Sequence, residues 1–199
     1  MLLLVDLDGV VYRASEGVPG VGPALASRAA LGDVVVYVTN NAMHYHGDYL
    51  PRLAGHGAPV GPDRVVTSAR ASALYLRETM PGVRRVLAVA AAGLERELRE
   101  AGYDVVTAAY AATRMGQEGI DGWAAADHPD VVVVGLDPQL TYLRIAAAAD
   151  CVRAGSAEVA GDLRRLLGSS VRHDVEGAFP NLSIRPAEPT DDGMTFARL

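Results

Sequence analysis

Short unbroken apolar runs recur along this chain, and a stretch patterned as a helix follows each of them. "LLLV", "VVVYV", "VLAV" and "VVVV" are apolar at every position rather than at every second one. That pattern marks strands buried on both faces. Such strands, alternating with helices through short connections, predict an α/β fold with a parallel sheet and right-handed crossovers. The first strand is read over 2–8, a helix over 20–31 closed by a turn at Gly32-Asp33, and a second strand over 34–39. The polar segment 42–59 reads as a helix interrupted at Pro51, and 64–80 as a short strand followed by a helix capped near Thr67 or Ser68. A fresh strand, helix and strand start begin near Pro81. A less regular stretch runs from 107 to 128, and "HPDVVVVGLDPQLTYLRIAAAADCVRAG" then repeats the theme.

Composition narrows the function classes. Half of the 199 residues are hydrophobic and the net charge is −6. With no basic block, a nucleic-acid partner is not expected. The single cysteine, Cys151, excludes an internal disulfide and suits a reducing compartment, so the expected location is cytoplasmic. Its alanine-rich helical surroundings make it a core residue. The N-terminal apolar run is too short for a signal peptide, and no run approaches a membrane span. All eighteen basic residues are arginine; the chain has no lysine.

Two carboxylates interrupt the first apolar run, in "LLLVDLDGVVY". Buried carboxylates are costly unless paired, and two at i and i+2 on a strand share a side and repel. Either the pair sits on a solvated turn or it holds a cation. Asp6 falls at the end of the strand, and Gly9 lets the chain turn just after Asp8. Open α/β sheets bind ligands at such a place. Thr39 and Asn40 occupy the matching end of the second strand. A carboxylate pair facing a hydroxyl and free backbone amides suits a phosphate ester with Mg²⁺, a hard cation that prefers oxygen. An attacking carboxylate and a phosphate ester repel by roughly 4 kcal/mol per unit pair at 4 Å and an effective dielectric near 20; a bridging cation removes that term.

Taken in order, "DLDGVVYR…VPG", "VTNN", "VVTSARASALYL", "GLERELREAGYDVV" and "PDVVVVGLDPQLTYLRIAAAADCVRAG" resemble the haloacid dehalogenase-like (HAD) phosphatases. The similarity is to the NagD-like and p-nitrophenyl-phosphatase-like subgroup and covers roughly residues 2–160. The resemblance implies a Rossmann-like core, its N-terminal part over 1–82, carrying an inserted α/β cap over 83–160. Asp6 would be the nucleophile that forms an aspartyl-phosphate. Asp8 would be the general acid/base, and both aspartates would hold Mg²⁺, Asp8 through its backbone carbonyl. Thr39, Asn40 and Asn41 would bind the phosphoryl group, and "GLDPQLTY" would shape the leaving-group pocket from the cap. The implied substrate is a small phosphorylated metabolite, such as a sugar phosphate, a nucleotide or phosphoglycolate.

The family pattern then calls for a lysine and a later acidic motif, and neither is found. "GDLRRLLG" at 161 opens like that acidic motif but lacks its second acid, and Asp191 and Asp192 follow no strand. Arg164, Arg165 and Arg172 have no strand to place them as a substitute cation. Residues 161–199 are therefore expected to be an atypical, disordered tail arising from truncation, a frame shift or divergence. The alternative function is a non-catalytic HAD-like binding or assembly protein. An uncovered core would also expose the "LLLV" and "VVVYV" edge to a second copy. His44 and His46 read as solvated surface rather than metal ligands, His128 as loop, and Thr67 and Ser68 as a helix cap rather than nucleophiles.

Overall fold

Residues 1–119 and 128–160 are described in a computed structural model of the chain. β1 (Leu2–Asp6), β4 (Val34–Thr39) and β5 (Val65–Thr67) form a parallel sheet in the order β1-β4-β5. A two-stranded antiparallel hairpin, β2 (Tyr12–Arg13) with β3 (Glu16–Gly17), follows β1 directly. β6 (Arg85–Val89), β7 (Asp104–Thr107), β8 (Val131–Val134) and β9 (Ala157–Ala160) form a second parallel sheet, ordered β7-β6-β8-β9. The connecting helices are α1 (Val21–Ala30), α2 (Leu50–Gly55), α3 (Ser68–Thr79), α4 (Ala92–Glu100), α5 (Ala108–Glu118) and α6 (Tyr142–Arg153).

Alternation of the strands explains the layering. Val35, Tyr37 and Val65 face one side of the first sheet and pack with Leu7, Val11, Tyr12, Tyr49 and Leu53, against which α1 residues such as Leu25 lie. Leu2, Val36 and Val66 face the other side. There they share one core with α3, α4 and the inner face of the second sheet, including Leu76, Leu94, Leu98, Val86 and Val131. Leu87, Val106 and Val132 look outward from the second sheet onto Ala111 and Met115 of α5 and Ala147 and Cys151 of α6. Cys151 is thus core, and burial pushes its thiol up to about 12.

Several expectations are corrected. β1 is not buried on both faces: Leu4 is 40% exposed, because among the described residues β1 pairs with β4 alone. "VVVYV" is the central strand rather than an edge. Pro51 does not interrupt a helix; it lies in the first turn of α2, where its missing N–H has no helical acceptor to lose. A 3-10 turn, His46–Tyr49, precedes it. Of the stretch 107–128, residues 120–127 lie outside the described residues, and Ala108–Glu118 form a helix, α5, capped by Thr107, which accepts a hydrogen bond from Tyr110 N at 3.2 Å. Its core residues Ala108, Ala111 and Met115 recur at helical spacing. β9 was not expected from the sequence. The tail residues Arg164, Arg165, Arg172, Asp191 and Asp192 lie outside the described residues.

Candidate active site

β1 and β4 run side by side in parallel, with Asp6 registered against Val38. The C-terminal end of β1 therefore lies beside Thr39, which in turn registers against Thr67 of β5. Three strand ends converge at one rim of the sheet, where an open α/β sheet places its ligands.

The DLD sequence is split by burial. Leu7 is fully buried, and that burial contributes about 1.5–3 kcal/mol. With Leu7 anchored below, Asp6 and Asp8 on either side of it are both exposed at the surface. The Leu7 carbonyl accepts from Val10, Val11 and Tyr12 N at 3.3, 3.0 and 3.4 Å, and Gly9 N donates to Tyr12 O at 2.7 Å. This tight loop needs a left-handed residue, and Gly9 supplies it with φ of 84°. Asp6 accepts a hydrogen bond from Leu7 N through Oδ1 at 2.9 Å, which fixes the carboxylate and leaves Oδ2 for another partner.

Opposite lies the loop after β4. Thr39 is buried, and its Oγ1 accepts from Asn41 N at 3.2 Å. Asn41 Oδ1 accepts in turn from Met43 N at 2.9 Å. The Thr39 hydroxyl still has its own proton to donate. Asn40 is exposed, and its carbonyl accepts from the buried Ser68 Oγ at 3.0 Å. Thr67 caps α3, accepting from Arg70 N at 3.0 Å. Thr67 and Ser68 are therefore structural, as the sequence implied, but Ser68 also braces the site loop. That contact had no sequence signal of its own.

The loop continues into a clamp against α4. Glu97, 4% exposed, accepts from His46 N at 2.8 Å and contacts His46 Nδ1 with both oxygens at 2.9 and 3.0 Å. Tyr45 donates its hydroxyl to Glu100 at 2.6 Å, and Arg96 lies 3.7 Å over the Tyr45 ring. The Tyr45 phenol is pushed up to about 12 by burial and by this hydrogen bond, and the Glu100 carboxyl is held below its usual range by the same hydroxyl. His46 is therefore not the solvated residue expected; a carboxylate fifty-one residues away pairs with it. His44 is exposed and meets Tyr49 edge-on. His128 is exposed, outside any helix or strand.

The donors at Asp6 and Asp8 suit Mg²⁺. Asp6 is exposed with one carboxylate oxygen uncommitted to the backbone, and the Asp8 backbone carbonyl, on the loop that follows, offers a second hard oxygen. Mg²⁺ is commonly held by one or two carboxylates plus waters and substrate phosphate, so the residues fit. Among the described residues no group of three or more His, Cys, Asp or Glu is arranged to hold a metal. No described helix is long and apolar enough to cross a membrane.

Residues 3–104 match the haloacid dehalogenase-like hydrolases. The chain is 33% identical to mouse glycerol-3-phosphate phosphatase over 170 residues, covering 77% of this chain and 52% of that protein. It spans about half the length of the curated relatives it matches. Among solved structures, NagD from Escherichia coli superposes with a TM-score of 0.63 at 26% identity, over 80% of this chain and 55% of that one. A glycerol phosphate phosphatase from Mycobacterium tuberculosis, solved in complex with magnesium, gives 0.60 at 26% identity, over 98% and 47%. The parallel α/β architecture, the rim formed by Asp6, Asp8 and Thr39, and these similarities agree: the chain belongs to the haloacid dehalogenase-like hydrolase family, among its NagD-like members.

Proposed function

We propose that the chain hydrolyses small phosphate monoesters by HAD-type phosphoryl transfer through Asp6. The observation that carries this reading is the register of β1 on β4, which sets an exposed, partly uncommitted Asp6 carboxylate beside the Thr39–Asn41 loop. In the first step the free Asp6 oxygen bonds to phosphorus and the ester P–O bond breaks. Asp8, protonated, gives its proton to the departing oxygen. In the second step water attacks the aspartyl-phosphate, Asp8 takes a proton from that water, and the Asp6–phosphorus bond breaks to release phosphate. Thr39, Asn40 and Asn41 hold the phosphoryl oxygens, the Thr39 hydroxyl donating the proton its own loop does not use. A Mg²⁺ held by the Asp6 carboxylate and the Asp8 backbone carbonyl would neutralise the repulsion between the carboxylate and the phosphate. The second sheet would serve as the cap, its "GLDPQLTY" loop braced by the Asp137–Arg144 pair at 2.8 Å.

Compact esters such as glycerol phosphate are the first substrates to test, because two of the relatives named above carry that substrate in their names. A second reading, a binding protein without turnover, is favoured by the finding that, among the described residues, Asp6 and Asp8 are not joined by a third carboxylate or histidine in a metal-holding group. Steady-state hydrolysis of p-nitrophenyl phosphate with excess Mg²⁺ decides between the two readings. Measurable release abolished by Asp6→Asn supports the enzyme; release equal in both proteins refutes it.

A further inference from the structure

The hairpin tip and α2 border an open surface depression of about 570 Å³, lined by Ala14, Ser15, Arg52, Gly55 and His56. None of these is a residue of the Asp6 rim. The Arg52 guanidinium stacks 3.6 Å over the Tyr12 ring, which fixes the plane of its donors. Among the described residues it meets no carboxylate and makes no hydrogen bond. His56 is equally well seated. Its ring lies 5.9 Å from that of Tyr12, and a Cβ at Gly17 would come within 2.7 Å of its Nδ1, so only glycine leaves room there. Its Nε2 is buried and has no hydrogen-bond partner. A chain of net charge −6 thus presents, at one open spot, a stacked guanidinium without a counter-ion, and the His56 ring and Ser15 line the same pocket. Guanidinium donors form a rigid planar fork that matches phosphate oxygens, and stacking on an aromatic ring leaves that fork open at its edge.

We propose that this pocket is a second anion site, taking a phosphate group on the Arg52 guanidinium, beside the His56 ring, independently of Asp6. The phosphate would come either from free inorganic phosphate or from a phosphate ester. The test is a titration of the full chain followed by the ring resonances of His56, without divalent cations, so that Asp6 and Asp8 repel phosphate from the rim. Inorganic phosphate and glycerol phosphate form separate arms, and a saturable His56 shift in one arm identifies the source. The shift should persist in Asp6→Asn and weaken roughly tenfold in Arg52→Gln, the order expected for one hydrogen-bonded charged pair. Arg52→Lys, which keeps the charge but not the fork, should fall between the two. No saturable shift in either arm, a drift that chloride matches, or equal affinity in Arg52→Lys, Arg52→Gln and the parent would overturn the proposal. Because the measurement needs neither Mg²⁺ nor turnover, its failure is distinct from failure of the phosphatase reading.

Discussion

Replacing Glu97 by alanine removes the acceptor that joins α4 to the loop leaving β4. The carboxylate is 4% exposed and its partner His46 is 12% exposed, so water cannot readily take its place. Two donors lose their acceptor: the His46 backbone N–H, bonded at 2.8 Å, and the ring nitrogen Nδ1, held at 2.9 and 3.0 Å. An orphaned buried donor costs about 1–3 kcal/mol. The imidazole can relieve part of this by carrying its proton on Nε2 instead, so the expected loss is about 2–4 kcal/mol. Glu97→Gln keeps one acceptor oxygen for the backbone N–H and should lose about 1 kcal/mol. Urea denaturation measures both. For a chain of this length each kcal/mol moves the melting temperature by about 2–4 °C, which gives a second reading. Amide exchange at Asn41 and Met43 should also quicken in Glu97→Ala, since the clamp holds the segment that follows them. A Glu97→Ala loss below about 0.5 kcal/mol, the usual scatter for surface substitutions, would refute the clamp.

Other perturbations test the remaining framework. Asp130 accepts from Arg84 and Arg85 N at 2.8 Å each, and these backbone donors, Arg85 first, hold its carboxyl below the usual range. A carboxyl depressed by folding adds stability above its unfolded pKa, and that stability fades as pH falls through the folded value. Asp130→Asn should therefore flatten the decline of the urea midpoint on the acid side, and an unchanged slope would contradict this. Thr67→Ala removes the cap of α3 and should cost about 1 kcal/mol in the same assay. Ser68→Ala breaks the hydroxyl's bond to Asn40 O. It should raise KM for p-nitrophenyl phosphate more than it lowers kcat, since the loop it braces is assigned to binding the phosphoryl group.

Much of this arrangement was legible in the sequence because it is local. Continuous apolar runs marked β1, β4 and β8, and a cap at Thr67 or Ser68 could be read from their place before a helical pattern. The DLDG spacing required a turn at Gly9, which set Asp6 at a strand end before any register was known. Pairings between distant segments were not legible. Nothing near His46 announces Glu97, and only the packing of α4 against the loop joins them. The helix α5 was missed because its alanine-rich, weakly contrasted face resembles irregular sequence, although Ala111 and Met115 carry the helical spacing. β1 was misjudged as doubly buried because apolar residues report a tendency to be covered, not whether a neighbour is present. The Arg52–His56 pocket likewise depends on a hairpin folding back onto α2.

If Asp6 carries the phosphoryl group, the group can be trapped there. The protein would be mixed with p-nitrophenyl phosphate and Mg²⁺, quenched in acid and digested, and the peptide containing Leu2–Tyr12 weighed. One added phosphoryl group is expected on Asp6, absent in Asp6→Asn together with product release. Undiminished product release by Asp6→Asn, with no phosphoryl group on that peptide in the parent, would contradict it.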